Sequence, residues 1–243
     1  MFGGGRFLSF FNQAFTLSEV LITLGIIGIV AALTIPQLVS SYRKHVVENK
    51  LKKVHSILSQ AVVLSEVEND SAINWDWPQS IADTEGKRQF FNKYFAPYMN
   101  ITGREWQKYH SVRPDGIVQG SSGFTDYYKL SDGTLLSFYI SYDTHRHVYY
   151  AAFGIILPGS INPQKRVFIG KNQFSLQINV TSNKTAVSVF PASYWGLTCE
   201  QVLNDVDRYV DVCRTNSVTA SDLCTMLIYC NGWEIPDYYP VKF

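Results

Sequence analysis

Few residues of this 243-residue chain have the types and spacing that catalysis or metal binding requires. His145 and His147 would share one face of a strand, with Asp143 near them, and such side chains are common metal ligands. The sequence places no third histidine or glutamate at ligand spacing, so we interpret the pair as a solvated strand end. Glycines 3 to 5 do not lie between a strand and a helix, as a phosphate loop requires, and no G-x-S-x-G motif occurs. We therefore expect no enzymatic activity, no catalytic residue, no metal and no cofactor.

The cysteines point to clearer chemistry. All four lie in the last quarter of the chain and none forms a C-x-x-C pair: Cys199, Cys213, Cys224 and Cys230. We interpret them as disulfides, which require an oxidising compartment and hence transport of this region across a membrane. Four reduced core cysteines in a cytosolic protein are the alternative, and the sequence does not choose among the three pairings.

Glu19 is the only charged residue in the apolar stretch at residues 15–39. About twenty apolar residues, each rising roughly 1.5 Å, span a hydrocarbon layer of about 30 Å, so the stretch predicts a membrane helix. A cleaved secretory signal fits poorly because the preceding fourteen residues carry only Arg6 as a charge. A buried core helix fits poorly because no polar stripe interrupts residues 20–35. A plain anchor leaves the carboxylate unexplained, since an ionised group costs about 2.5–3.5 kcal/mol at the bilayer centre.

Small residues follow Glu19 along one face of the predicted helix. Gly25, Gly28 and Ala32 are three and four residues apart, so neighbouring helices could approach closely there. Small residues are also common in membrane helices that form no such contact. Pro36 removes one backbone hydrogen bond, and it either kinks the helix or marks the membrane boundary.

The segment AFTLSEVLI, residues 14–22, closely resembles the prepilin-type cleavage and methylation motif of type IV pilins and type II secretion pseudopilins. The resemblance implies that a prepilin peptidase cuts between Ala14 and Phe15 and methylates the new amino terminus. It also implies that Glu19 is the family's characteristic glutamate and Pro36 its helix-loosening proline. Two differences stand out: the family usually has Gly at the position of Ala14, and its leaders usually carry a cluster of Lys and Arg.

Glu19 suits filament assembly on physical grounds. Cleavage before Phe15 would create a cationic amine at the start of the helix, and the Glu19 carboxylate of a neighbouring subunit could pair with it. Removing one member of a buried charge pair costs about 3–5 kcal/mol, so this pair would set the axial register of a helix bundle. The alternative is a glutamate favoured by the positive end of the helix dipole at the membrane edge.

Beyond the apolar stretch, the helix is predicted to continue over residues 40–68. Its apolar seam consists of Val47, Leu51, Val54, Leu58, Ala61 and Leu64. Its basic residues are Arg43, Lys44, Lys50, Lys52 and Lys53. The positive-inside rule would place them in the cytoplasm, whereas the resemblance and the cysteines place the following domain outside it. We follow the resemblance and interpret the basic residues as a solvated face, with lipid headgroups or a neighbour's acidic patch as the alternatives.

Residues 69–243 predict a strand-rich globular domain. We expect a short helix at residues 87–98, a hairpin at 127–140, and strands at 147–157, 174–180 and 186–189. A long helix packed on an antiparallel sheet gives an α+β, pilin-like fold with a disulfide-bearing C-terminal region. The expected division is a leader at 1–14, a membrane or filament-core helix at 15–39, its amphipathic continuation at 40–68 and the domain at 69–243.

Three later segments resemble a subgroup of prepilin-type proteins: the turn at 131–134, the strand entry at 170–176 and the ending NGWEIPDYYP at 231–240. An Asp- and Asn-rich loop often precedes the strand entry in that subgroup, but residues 153–163 contain no carboxylate here. Calcium needs six to eight oxygen ligands, so no calcium loop is expected.

The expected function follows from the resemblance. It is a structural subunit, minor rather than major, of a type IV pilus-like or type II secretion filament, anchored once in the bacterial inner membrane with its C-terminal domain outside the cytoplasm. The implied partners are the prepilin peptidase, other pilin or pseudopilin subunits and inner-membrane lipid. The net charge of +1 gives no broad field that would attract nucleic acid. The alternative function is a periplasmic binding module or enzyme that uses the helix only as a tether.

Overall fold

The structure is a computed structural model that describes residues 16–78, 82–119, 125–143, 148–159, 165–180, 189–191 and 196–243. Contacts divide the chain after Tyr42 into two compact units. The described part of the first unit consists of the start of helix α1, Leu17–Asn69. The second unit, Arg43–Phe243, contains the rest of α1 and all other elements.

Helix α1 ends where the backbone of Asp70 enters the left-handed region at φ 67°, a conformation that Asp tolerates better than most residues. In the second unit its buried face consists of Val47, Glu48, Leu51, Val54, Leu58, Ala61, Val62 and Ser65. Five members of the predicted seam are therefore confirmed. The prediction was wrong for Leu64, which is 49% exposed. Ser65, one residue further along the chain, is fully buried in its place.

The second unit is built on a six-stranded antiparallel sheet in the order β1-β3-β4-β5-β7-β8. Its strands are β1 Ile101–Gln107, β3 Thr125–Leu130, β4 Leu135–Asp143, β5 Val148–Ile156, β7 Gln173–Val180 and β8 Val189–Pro191. A separate parallel pair consists of β2 His110–Val112 and β6 Arg166–Phe168. The α+β prediction is confirmed.

The predicted hairpin is β3 and β4, and its turn has the expected chemistry. Gly133 has φ 84°, which a residue without Cβ adopts at low cost, and the Thr134 N–H donates to Asp132 Oδ1 at 3.0 Å. The strands predicted at 147–157 and 174–180 correspond to β5 and β7. For the strand predicted at 186–189, the structure describes only the last residue, where β8 begins.

Helix α2, Thr84–Tyr94, closes one end of the core and is followed by a 3-10 turn at Ala96–Tyr98. The Phe91 and Tyr128 rings stack with centroids 3.7 Å apart, and Phe95 meets Phe153 edge to face at 5.2 Å. The predicted helix, residues 87–98, begins three residues after the observed one. Asp83 caps the observed helix by accepting the Gly86 N–H at 2.8 Å, and the prediction did not include this cap.

Three C-terminal helices complete the unit, and the sequence did not predict them. They are α3 Cys199–Asn204, α4 Val206–Thr215 and α5 Ala220–Cys230. Helix α5 packs along β7, where Thr225 Oγ1 accepts the Ser175 N–H at 3.1 Å. A hydroxyl on α5 thus supplies a hydrogen bond that a strand would otherwise provide at this position.

Candidate functional site

Glu19 lies in the first turn of α1 and closes a capping box with Thr16. Glu19 Oε2 accepts hydrogen bonds from the Thr16 N–H and from Thr16 Oγ1, each at 2.9 Å, and Thr16 Oγ1 accepts the Glu19 N–H at 3.2 Å. Such a box satisfies backbone donors that the first turn leaves open. A local structural role for Glu19 is therefore present within one chain. Ala14 and Phe15, the predicted processing residues, lie outside the described residues.

The predicted helix-contact residues all lie on α1 with open surroundings in the single chain. A Cβ added at Gly25 or Gly28 would meet no atom within 4 Å, and Ala32 is exposed. The helix runs through Pro36 without interruption. This surface has room for a neighbouring helix, and whether one packs there stays a prediction.

The start of α1 is long and apolar enough to cross a membrane. Its most apolar 18-residue window has a mean hydropathy of 2.2, and none of that window is buried. Large side chains such as those of Leu33 and Leu38 are more than 70% exposed. Exposed apolar surface of this extent is unfavourable in water and indicates an apolar environment or a partner.

The four cysteines form two disulfides, which settles the pairing that the sequence left open. Cys199 bonds Cys230, and Cys213 bonds Cys224. The first bond ties the start of α3 to the end of α5, and the second ties α4 to α5. Together with the apolar helix, these bonds characterise a single-pass membrane or secreted protein.

A buried carboxylate joins α1 to the C-terminal segment that follows α5. Glu48 is 6% exposed, and its Oε1 accepts the backbone N–H of Ile235 at 2.8 Å. Its other oxygen lies 2.8 Å from His45 Nδ1. Nearby, the His55 and Trp233 rings lie 5.0 Å apart. The ending at 231–240 is thus held against α1, a role for Glu48 that the sequence did not suggest.

Among the carboxylates of the second unit, Asp222 and Asp132 have strongly shifted pKa values. Burial raises the pKa of Asp222 to about 6, although the hydroxyls of Ser175 and Ser221 donate to it and oppose the shift. For Asp132, burial acts to raise the pKa, but the Lys53 ammonium at 2.8 Å and the Thr134 N–H outweigh it and lower the pKa to about 2. Asp132 therefore remains ionised and ties the β3–β4 turn to α1.

One face of the sheet carries a cavity of about 400 Å³ beneath the β2–β6 pair. Register places Tyr127, Ser137 and Gly154 side by side on its floor, and the Tyr109 ring meets Tyr127 edge to face at 4.9 Å. A Cβ at Gly154 would lie 2.4 Å from Ser137 Oγ, so glycine keeps this part of the floor open. The volume falls in the range of small-molecule pockets.

Metal ligation has no support among the described residues, where no three His, Cys, Asp or Glu side chains group together. His145 and His147 lie outside the described residues, and the structure describes only the backbone of Asp143.

Comparison with known proteins identifies the family of the chain. A model described as a family of unknown function, DUF6613, matches residues 37–243, and the chain belongs to that family. The match begins directly after Pro36 and so does not include the motif at residues 14–22. No curated protein and no solved structure matches the chain.

Proposed function

We propose that this member of the DUF6613 family is a structural subunit of a type IV pilus-like or type II secretion filament, processed by a prepilin peptidase. The observation that carries the proposal is Glu19, the lone charge of the apolar, membrane-length stretch at residues 15–39, placed four residues after Phe15 in a prepilin-type motif. The two disulfides support delivery of the second unit to an oxidising compartment. The proposed location is the bacterial inner membrane, followed by a filament.

In the proposed mechanism, cleavage before Phe15 frees an amine, and Glu19 of a neighbouring subunit neutralises it inside a bundle of α1 helices. Gly25, Gly28 and Ala32 allow the helices to approach, so van der Waals contact accompanies the charge pair. Because an unpaired buried charge costs about 3–5 kcal/mol, subunits out of register are strongly disfavoured. The filament thus gains its axial order from one carboxylate per subunit.

Glu19→Gln separates this role from capping. Glutamine also completes a capping box, so the start of α1 keeps its hydrogen bonds while the charge is lost. We expect the variant to reach the membrane in normal amounts and to be absent from sheared filament fractions. Thr16→Ala, which removes the capping hydroxyl and keeps the charge, is the matched control and should still be incorporated. Normal incorporation of Glu19→Gln would refute the pairing.

The processed amino terminus provides a second test. Intact mass and N-terminal sequencing of the mature protein should find a chain that begins with methylated Phe15. A membrane protein that retains residues 1–14 would contradict the proposal.

The cavity on the sheet favours a second candidate function, an anchored binding module. For such a module, α1 serves only as a tether, so an unrelated transmembrane helix could replace residues 15–39 without loss of function. A filament subunit would lose assembly on the same replacement. Loss of filament incorporation with retained membrane localisation would therefore reject the tether.

A further inference from the structure

The cavity of about 400 Å³ beneath the β2–β6 pair is lined mainly by uncharged polar side chains. Because side chains alternate along a strand, five residues of β3, β4 and β7 point to the cavity side of the sheet, away from the main core: Thr125, Tyr127, Ser137, Tyr139 and Gln173. Tyr109 and Ser111 lie on the opposite wall. Six residues with a hydroxyl group and one with an amide therefore line the space, and each of these groups can donate as well as accept a hydrogen bond.

Part of this hydrogen-bonding capacity is unused within the chain. The Tyr109 hydroxyl donates to Glu105 Oε1 at 2.8 Å, which orients its ring beside Tyr127. In the parts of the chain that the structure describes, the hydroxyl groups of Tyr127 and Ser137 make no hydrogen bond. Gln173 Oε1 is buried and also has no hydrogen-bond partner there. Polar groups without a partner are unfavourable in a buried place, so this lining favours a bound molecule that hydrogen-bonds to it.

The charges at the cavity disfavour several classes of ligand. Lys87 is the only charged residue among the described residues that line it. The lining thus gives a cationic ligand no carboxylate, and it gives a phosphate one ammonium and no guanidinium. The nearby Arg88 is already engaged, because its Nε lies 2.6 Å from Asp126 Oδ2. A lipid chain would leave the hydroxyl groups without partners. The class that fits is a neutral molecule rich in hydroxyl groups.

We propose that the cavity binds a pyranose sugar, either free or at the end of a glycan chain. The hydroxyl groups and the Gln173 amide pair with the hydroxyls of the sugar, and the tyrosine rings pack against its C–H groups. Gly154 keeps room for the sugar ring, since a Cβ there would clash with Ser137 Oγ. The inference deepens the second candidate function and rests on its binding cavity, but it requires neither that α1 is only a tether nor that filaments form.

Saturation-transfer NMR on the full chain in phosphatidylcholine nanodiscs tests the site. The probes are the methyl glycosides of glucose, galactose, mannose and N-acetylglucosamine, and the comparison ligands are inorganic phosphate and indole. We expect at least one glycoside to bind with a Kd of about 1 mM and neither comparison ligand to compete with it. A tetrasaccharide of the bound sugar separates the two sources. A Kd equal to that of the glycoside indicates a free sugar, and a Kd about tenfold lower indicates the end of a glycan chain.

Variants of the cavity locate the binding. Tyr127→Phe removes one hydroxyl group and keeps the ring, so it should raise the Kd about tenfold. Ser137→Leu fills the space beside Gly154 and should abolish binding. Tyr238→Phe, at an exposed tyrosine of the C-terminal segment, is the matched control and should leave the Kd unchanged. Thermal melting followed by circular dichroism shows that each variant is folded, and Tyr127→Phe alone decides the test where Ser137→Leu fails to fold.

The outcomes separate this site from the other proposals. The site is overturned where no glycoside binds at concentrations about tenfold above the expected Kd, where phosphate or indole displaces the sugar, or where the native Kd persists in both cavity variants. A chain that enters filaments and binds no sugar overturns the site alone. A chain that binds the sugar in the cavity and never enters filaments supports the site and overturns the filament function. Sugar binding together with loss of filaments on helix replacement supports the site and rejects the tether.

Discussion

Replacing Glu48 with alanine should loosen the C-terminal segment from α1. Glu48 is 6% exposed, and its Oε1 is the acceptor for the Ile235 N–H at 2.8 Å, across 187 residues of sequence. The alanine variant removes a carboxylate acceptor and leaves that buried N–H without a partner. The hydrogen bond that this variant loses is one that joins the beginning of the second unit to its end.

The expected size of the effect follows from the charge of the acceptor. A hydrogen bond to a charged group contributes about 1.5–3 kcal/mol, and a neutral one about 1 kcal/mol. Glu48→Ala should therefore lower the free energy of unfolding by about 2–3 kcal/mol. Glu48→Gln keeps an oxygen for the Ile235 N–H and loses only the charge, so its cost should be about 1 kcal/mol. Lys52→Ala, at an exposed site on the same helix, is the control and should lower the free energy of unfolding less than either.

Urea denaturation of a fragment that comprises the second unit, residues 43–243, measures these differences. Hydrogen exchange adds a local readout, because the amides of residues 231–240 should lose protection in Glu48→Ala more than those of β4 and β5. Equal costs for the alanine and glutamine variants would refute the assignment of Glu48 as acceptor. Unchanged hydrogen exchange at the Ile235 amide in Glu48→Ala would refute that assignment as well.

Three further predictions concern the same unit. Leu58→Ala should lower the free energy of unfolding by about 3 kcal/mol and Leu64→Ala by less than about 0.5 kcal/mol, because Leu58 is fully buried and Leu64 is 49% exposed. Comparable losses for the two variants in urea denaturation would contradict the orientation of the helix. Replacing both Cys199 and Cys230 with alanine should lower the free energy of unfolding by about 3–4 kcal/mol, since the bond closes a separation of 31 residues, and a loss below about 1 kcal/mol would count against it. The pKa of Asp222 lies above that of an unfolded chain, so its contribution to stability is present below about pH 4 and is lost as the pH rises through about 6. Asp222→Asn should therefore gain about 1–2 kcal/mol over the native sequence between pH 4 and pH 7, and parallel stability curves would show that Asp222 does not titrate in this range.

The parts of the fold that the sequence predicted have strong local signals. Apolar residues three and four apart defined the buried face of α1, and the Ser-Asp-Gly turn defined the β3–β4 hairpin. The sequence predicted Leu64 on the buried face because leucine is more hydrophobic than its neighbour Ser65. In the structure, the helix turns Ser65 inward and leaves Leu64 exposed. Ser65 fits there because its hydroxyl lies 3.3 Å from Asn69 Nδ2, which also donates to Tyr98.

The missed elements lack a periodic signal. Helix α5 buries seven of its eleven residues, so its apolar residues surround the helix and show no amphipathic stripe. Strand β1 is an edge strand with mostly exposed polar residues, and alternation is weak there. Glu48 lies in a basic run that resembles a solvated surface. Only the distant Ile235 N–H gives its carboxylate a buried role, and no local pattern contains that information.

The capping box at Glu19 does not compete with the proposed charge pair. Both hydrogen bonds from Thr16 end on Oε2, so in the described residues Oε1 accepts none. The box also fixes the side chain at the first turn, which reduces the rotamer entropy that a pair with a neighbouring amine would otherwise cost. If capping prepares Glu19 in this way, Thr16→Ala should slow incorporation into filaments without abolishing it. Glu19→Gln should abolish it even though the cap remains.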